Sequence, residues 1–302
     1  MEKYIKKIIK TNNELLKNLE IKKMNIGFTN LVYNAGNKYI IKICNNKANE
    51  KRFKNEIDFY LKNKNNNYIP KLYKYYISTS ESDYSYEIIE KINGKSLYFV
   101  WHTFDEIKRK EIIKEICLVM KSIHSIKKEK YDWPLFIKEK LIKDFEVCET
   151  NNLFNEKEVI KISDVIENCS KYLVSEDFRL VHADIHFDNI LIDDNGDLKL
   201  IDFETTIASP IDYELDIFLR MCNNPLKYSS EETESLVRKE DYINIPNYLK
   251  EFYPEFFNFE HFEIRHLVYD LEANFRLLAR FPKDKTLKEI VINIIDTLIK
   301  MM

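Results

Sequence analysis

From Lys22 to Cys44 apolar and polar residues alternate in two short runs, MNIGFTNLVYNA and GNKYIIKIC, joined by a Gly/Asn-rich stretch from Asn34 to Lys38. Period-two alternation broken by turn-forming residues predicts a β-hairpin. The spacing then changes. Phe53, Ile57, Tyr60 and Leu61 recur at helical intervals and predict a charged helix over about Ala48 to Lys62. LYKYYIST and YSYEIIEKI read as further strands, so the first ninety or so residues are expected to form an antiparallel sheet with one inserted helix. Beyond Asn93-Gly94 the pattern turns to long helical periodicity, as in 104–127 and 155–174. The exception is Leu180 to Phe203, where two apolar β-like runs flank the turn Asp193-Asp194-Asn195-Gly196-Asp197. The expected fold class is therefore α+β. A small β lobe spans 1–93 with a hinge at about 89–94, and a larger, mainly helical lobe spans 94–302 with one embedded hairpin.

Composition narrows this picture. At 302 residues and 45% hydrophobic content the chain can bury a sizeable core, which excludes a disordered protein. Five cysteines, far apart and without a CxxC pair, argue against a disulfide framework and against a thiolate zinc site. The lysine-rich start, MEKYIKKIIKTNNELLKNLE, has no apolar core of the kind a secretory leader needs, and no later run approaches the roughly 18 apolar residues of a membrane span. A cytoplasmic protein with no membrane and no nucleic-acid partner is expected. Net charge is only −3, but residues 1–95 hold 19 basic and 10 acidic side chains, a balance of +9 that leaves −12 for the rest. Beside the plain reading of solubilising surface charge, this polarity suits an N-terminal part that meets an anion and a C-terminal part that meets a cation.

The chemistry concentrates in VHADIHFDNILI, residues 181–192. In an extended segment His182, Asp184, His186 and Asp188 would share one face, and imidazole with carboxylate makes a plausible metal site. The continuation favours another reading. Asn189 follows Asp184 by five residues, an apolar run and a turn come next, and LKLIDF delivers Asp202 thirteen residues after Asn189. Phosphoryl transfer needs such a set: one carboxylate to accept the proton of an attacking hydroxyl, then an amide oxygen and a carboxylate to hold Mg²⁺ against the phosphates.

HADIHFDNILI followed by LKLIDFE resembles the catalytic loop and metal-binding segment of the protein-kinase-like fold, in its aminoglycoside phosphotransferase and choline kinase branch. The resemblance implies a two-lobed fold, ATP or GTP as phosphoryl donor, and Mg²⁺. It implies Asp184 as catalytic base, Asn189 and Asp202 as Mg²⁺ ligands, and His182 as a hydrogen-bonding brace within the loop. It also implies a later aspartate that ties the loop to the large lobe, which Asp216 in ELDIFL matches best, with Asp212 as the rival. Glu204 stands where protein kinases carry the glycine of Asp-Phe-Gly, and the chain after it leaves no room for a long activation loop or a peptide platform.

The N-terminal half offers the remaining parts. Gly27-Phe28-Thr29-Asn30 opens the first hairpin, and backbone amides there, helped by the Thr29 and Asn30 side chains, could cradle phosphates. Lys42 lies late in the second strand of that hairpin. A lysine on an apolar strand is costly to bury without a partner, and Glu56 in RFKNEIDFY is the natural one. YEIIEKINGKSL resembles the segment joining the lobes, where Glu90 to Ile92, ending in Ile92, would offer main-chain hydrogen bonds to a purine. His124 is expected to be a packing histidine.

The partners implied are a nucleoside triphosphate and a small cationic acceptor. Acids of the C-terminal region (Glu251, Glu255, Glu260, Glu263, Asp270 and Glu272) suit an aminoglycoside, whose phosphorylation would confer antibiotic resistance. Aromatics in EFYPEFFNFEHF would suit a quaternary ammonium, and a metabolic kinase for choline, an amino alcohol or a sugar is the alternative. A third reading, a non-catalytic nucleotide-binding protein, conflicts with the intact Lys42, Asp184, Asn189 and Asp202.

Overall fold

The computed structural model describes residues 2–24, 30–80 and 83–302. Among these, ten strands run in chain order: β1 (Ile21–Met24), β2 (Leu31–Ala35), β3 (Tyr39–Cys44), β4 (Leu72–Tyr76), β5 (Ser85–Glu90), β6 (Gly94–Ser96), β7 (Arg179–Val181), β8 (Ile190–Asp193), β9 (Leu198–Leu200) and β10 (Ile207–Ser209). The α-helices are α1 (Glu2–Thr11), α2 (Asn13–Leu16), α3 (Glu50–Lys62), α4 (Leu97–Val100), α5 (Glu106–His124), α6 (Trp133–Thr150), α7 (Glu156–Cys169), α8 (Asp212–Asn223), α9 (Ile245–Phe252), α10 (Phe262–Arg280) and α11 (Lys285–Met301). They fall into two units. The first holds Met1–Val100 with Phe187–Thr206, the second Trp101–His186 with Ile207–Met302.

In the first unit five strands pair antiparallel in the order β1-β2-β3-β5-β4. The turn between β2 and β3 falls where the Gly/Asn cluster predicts it, with Gly36 at φ +59°, a backbone region that glycine enters without steric cost. One face of the sheet packs Tyr33, Ile41, Ile43, Tyr86 and Ile88 against Ile8 of α1 and Leu16 of α2. These two helices are additions to the single helix expected. Lysines at nearly every turn hid an apolar stripe, since Tyr4, Ile5, Ile8 and Ile9 lie one turn apart and cover the sheet. Beyond them, Phe53 and Ile57 of α3 pack with Cys44 of β3.

The hairpin β8–β9 forms at the predicted turn, and β8 pairs with β6 in a three-stranded sheet of the first unit. The sequence pattern placed this hairpin in the helical lobe, because alternation announces a strand but not its partner. β7, at the start of the same apolar stretch, pairs with β10 in the second unit. Gly94 is required where β6 meets β8, since a Cβ there would lie 2.3 Å from the Ile192 carbonyl oxygen and 2.9 Å from Asp193 Cα. Gly94→Ala must push two paired backbones apart, and we expect a loss of roughly 1–3 kcal/mol, read as a lower denaturant midpoint at unchanged slope.

The second unit is built on helices. Trp133, Ile137 and Leu141 of α6, Ile162 and Val165 of α7, Val268, Leu271 and Phe275 of α10, and Val291 and Ile295 of α11 share one core. Helix starts read from sequence are anchored by caps, with Asp105 accepting from the Lys108 amide at 2.8 Å and Asn155 with Glu158 closing a capping box. All five cysteines are free and buried. No helix among the described residues is long and apolar enough to cross a membrane.

Candidate active site

In the first unit β3 presents Lys42 and α3 presents Glu56. The ammonium reaches both carboxylate oxygens, 2.8 Å to Oε1 and 2.9 Å to Oε2, and Asp202 Oδ1 at 3.4 Å. Glu56 is fully buried, and its Oε1 also accepts from the Phe203 amide at 3.2 Å and the Tyr60 hydroxyl at 3.4 Å. Burial alone would lower the Lys42 pKa, but the charges of Asp202 and Glu56 outweigh it and hold it well above the ordinary lysine value. Lys42 is thus a fixed cation rather than a base.

The second half of the motif lies in the same unit. Asn189, nearly buried, ends a 3₁₀ turn before β8, and its carbonyl accepts from the Ile201 amide at 3.0 Å, which brings it beside the segment carrying Asp202. Asp202 has φ +68°, a left-handed backbone that costs a non-glycine residue about 1–3 kcal/mol and persists where the surroundings impose it. Those surroundings are visible. Asn30 Nδ2 donates to Glu204 Oε2 at 3.0 Å, and Asn55 Nδ2 donates to the Thr206 carbonyl at 2.7 Å and to its hydroxyl at 2.9 Å. Phe203 stacks on Phe59 with ring centroids 3.9 Å apart. Sequence reading identified Asn30 but had no role for Glu204, Asn55 or Phe59, whose partners lie 144 to 174 positions away. Gly27 and Thr29 lie outside the described residues.

At the segment expected to meet a purine, the Glu90 amide donates to the Lys71 carbonyl at 2.8 Å and the Lys91 amide to the Lys38 carbonyl at 2.9 Å. Both are consumed by the sheet. The Ile92 main chain has no such partner among the described residues.

The second unit holds Asp184. Its amide donates to His182 Nδ1 at 3.3 Å, and its carboxylate, nearly half exposed, lies 3.9 Å from His186 Nε2. Ala183 between them is left-handed, at φ +61°. The loop backbone is held by Glu214, whose Oε1 accepts from the His182 amide at 3.0 Å and the Ala183 amide at 3.1 Å. Its Oε2 meets His124 Nε2 at 2.5 Å, and His124 Nδ1 meets the Tyr253 hydroxyl at 2.9 Å. The sequence assigned this tie to Asp216. In the structure Asp216 instead pairs with Arg220 at 2.7 Å and His266 at 3.0 Å, and Asp212 pairs with the buried Arg265 at 2.6 Å. His124 is buried, as expected of a packing residue, and it also anchors the anchoring carboxylate.

Burial alone would raise the Glu214 pKa, yet the hydrogen bond and charge of His124, with His182, hold it below the ordinary carboxylate value. The unfolded chain therefore binds the extra proton first, and Glu214 contributes stability that is present above its unfolded pKa and lost as pH falls through its folded one. We expect Glu214→Gln to cost roughly 1.5–3 kcal/mol and to flatten the acid limb of the stability curve measured by denaturation against pH.

Most of the acids expected to face an acceptor are engaged within the unit. Glu251 pairs with Lys110 at 2.9 Å, Glu255 with Lys121 at 4.0 Å, Glu260 with His261 at 3.4 Å, and the buried Glu272 with Lys140 at 2.8 Å. Asp270 lies 3.9 Å from Arg220. Tyr253 and Phe256 are buried against His124 instead of forming a cage. Among the described residues no three of His, Cys, Asp or Glu gather to hold a metal.

An antiparallel sheet carrying a lysine–glutamate pair beside an aspartate, with a His-x-Asp loop on a helical unit, defines a phosphotransferase of kinase-like fold. Residues 20–236 match the profile of APH, the phosphotransferase enzyme family, and the chain belongs to that family. Its fold is similar to aminoglycoside phosphotransferase APH(2'')-Ib in an ADP-bound crystal structure, with TM-score 0.69, 19% identity, and 96% of this chain and 97% of that chain covered. It is also similar to APH(2'')-IIa in a ternary complex with streptomycin and ATP, with TM-score 0.67, 18% identity, and coverage of 97% and 95%. Aminoglycoside phosphotransferase APH(4)-Ia matches with TM-score 0.65 and 12% identity over 99% of both chains. No curated protein matches the chain in sequence.

Proposed function

We propose that the chain transfers a phosphoryl group from ATP or GTP to a hydroxyl of a small cationic acceptor, an aminoglycoside antibiotic, and so confers resistance. The observation that carries the donor half is Lys42 held by both oxygens of Glu56 and in contact with Asp202. A cation so fixed meets nucleotide phosphates without reorganising. The unengaged Ile92 main chain suits a purine edge, and nucleotides occupy the similar structures of APH(2'')-Ib and APH(2'')-IIa.

The donor set fits Mg²⁺, since the Asn189 amide and Asp202 carboxylate offer hard oxygens on adjoining segments and leave further positions for phosphate and water. Bound there, the ion would neutralise charge on the phosphates. The Asp184 carboxylate accepts the proton of the acceptor hydroxyl, whose oxygen forms the new bond to the γ-phosphorus as the bond to the nucleoside diphosphate breaks. His182 and Glu214 hold the loop that carries it.

For the acceptor, support comes from similar folds solved with streptomycin and with gentamicin. Nucleoside diphosphate release, coupled to a reporter and run with ATP and GTP against aminoglycosides, choline, amino alcohols and sugars, tests the reading. Turnover with aminoglycosides is expected. Turnover only with choline, an amino alcohol or a sugar would reassign the enzyme to metabolism.

A further inference from the structure

Glu87 faces the same lysine and has so far been given no part. It lies on β5 directly opposite Lys42 of β3 and is fully buried. On β4 its register partner is Tyr75. Neither of its carboxyl oxygens accepts a hydrogen bond from any described residue. The donors nearby are spent. Lys42 directs its three protons to Glu56 Oε1, Glu56 Oε2 and Asp202, while the Tyr60 hydroxyl and the Phe203 amide both go to Glu56 Oε1.

An ionised Glu87 would be a second buried carboxylate beside the Lys42–Glu56 pair with no donor of its own, and the charge of Lys42, already shared with Glu56 and Asp202, would offset its desolvation cost only in part. A protonated carboxyl differs in having an O–H to give. Glu56 Oε2, which accepts only from Lys42 among the bonds above, has room for it, and Glu56 is held by the same lysine that Glu87 faces across the strand pair.

We propose that Glu87 is a neutral carboxylic acid donating a hydrogen bond to Glu56, and thereby a positioning residue that holds the Glu56 carboxylate, and through it Lys42, in place for the nucleotide phosphates. Burial first, then the negative charge of Glu56, acts on Glu87 in the same direction, raising its pKa well above the carboxylate range. The ledger around Lys42 is then one ammonium, two carboxylates (Glu56 and Asp202) and one neutral acid, and the lysine has two ionic partners rather than three.

The role rests on the donor reading above, so the test separates the two. Infrared difference spectra of the full chain against Glu87→Gln at neutral pH should show a carboxylic-acid carbonyl band present only in the wild type. Calorimetric binding of ADP with Mg²⁺ should weaken about tenfold in Glu87→Leu, and Glu87→Gln, whose amide can still donate to Glu56, should recover affinity to within about threefold of wild type. A wild type that binds ADP but shows no acid band, or a Gln variant as weak as the Leu variant, overturns the role alone. A wild type that binds no ADP overturns the donor reading and this role together.

Discussion

Asp184→Ala is expected to lower phosphoryl transfer by about 10²–10⁴-fold, the span attributed to a positioned general base. ADP affinity and the melting transition should stay near wild type. The side chain is nearly half exposed and lies 3.9 Å from His186 Nε2. The loop is organised by its backbone, through His182 Nδ1 and the two amides that donate to Glu214, none of which needs the Asp184 carboxylate. Loss of rate without loss of fold therefore follows from geometry. Substantial residual transfer by the variant, measured with the acceptor that the wild type turns over, would remove Asp184 from the role of base.

Lys42→Met should fail in a different way. It leaves Glu56 as a fully buried carboxylate without its counter-ion, a situation that costs about 3–5 kcal/mol, and it removes the fixed cation from the donor site. Stability and nucleotide binding should fall together. The double variant Lys42→Met/Glu56→Leu separates them, because replacing both charges by apolar groups removes the unpaired carboxylate. It should regain most of the lost stability by denaturant titration while ADP binding stays lost. If the single variant keeps wild-type ADP affinity, Lys42 is a structural lysine and the donor site lies elsewhere.

How much of this was legible in the sequence depended on distance along the chain. Lys42 and Glu56 are 14 residues apart on adjacent elements, and the cost of burying a lone lysine was enough to pair them. The Asp184, Asn189 and Asp202 spacing was equally local. The loop anchor was not. Glu214 and Asp216 lie two positions apart on α8, which turns about 200° over that interval, so spacing could not say which one faces the loop. Glu87 was invisible for a related reason, since an acid on an alternating strand reads as a solvent-facing residue until the neighbouring strand and helix close over it. α1 escaped because its lysines obscured the apolar stripe. Asn30, Asn55 and Glu204 show the general limit, in that each residue type was evident but its partner was set by pairing across more than a hundred positions.

The pinning of residues 202–206 has a consequence for control. Protein kinases are often switched by freeing or ordering the chain just after their metal-binding aspartate. Here that stretch is held by Lys42, by Glu56 through the Phe203 amide, by Asn30 through Glu204, and by Asn55 through Thr206. Releasing it would forfeit all four contacts at once, so a detached state would be sparsely populated. An enzyme built this way is not expected to be switched by release of that segment. Through that segment, at least, occupancy by donor and acceptor, and not a change in the order of the chain, would set its output.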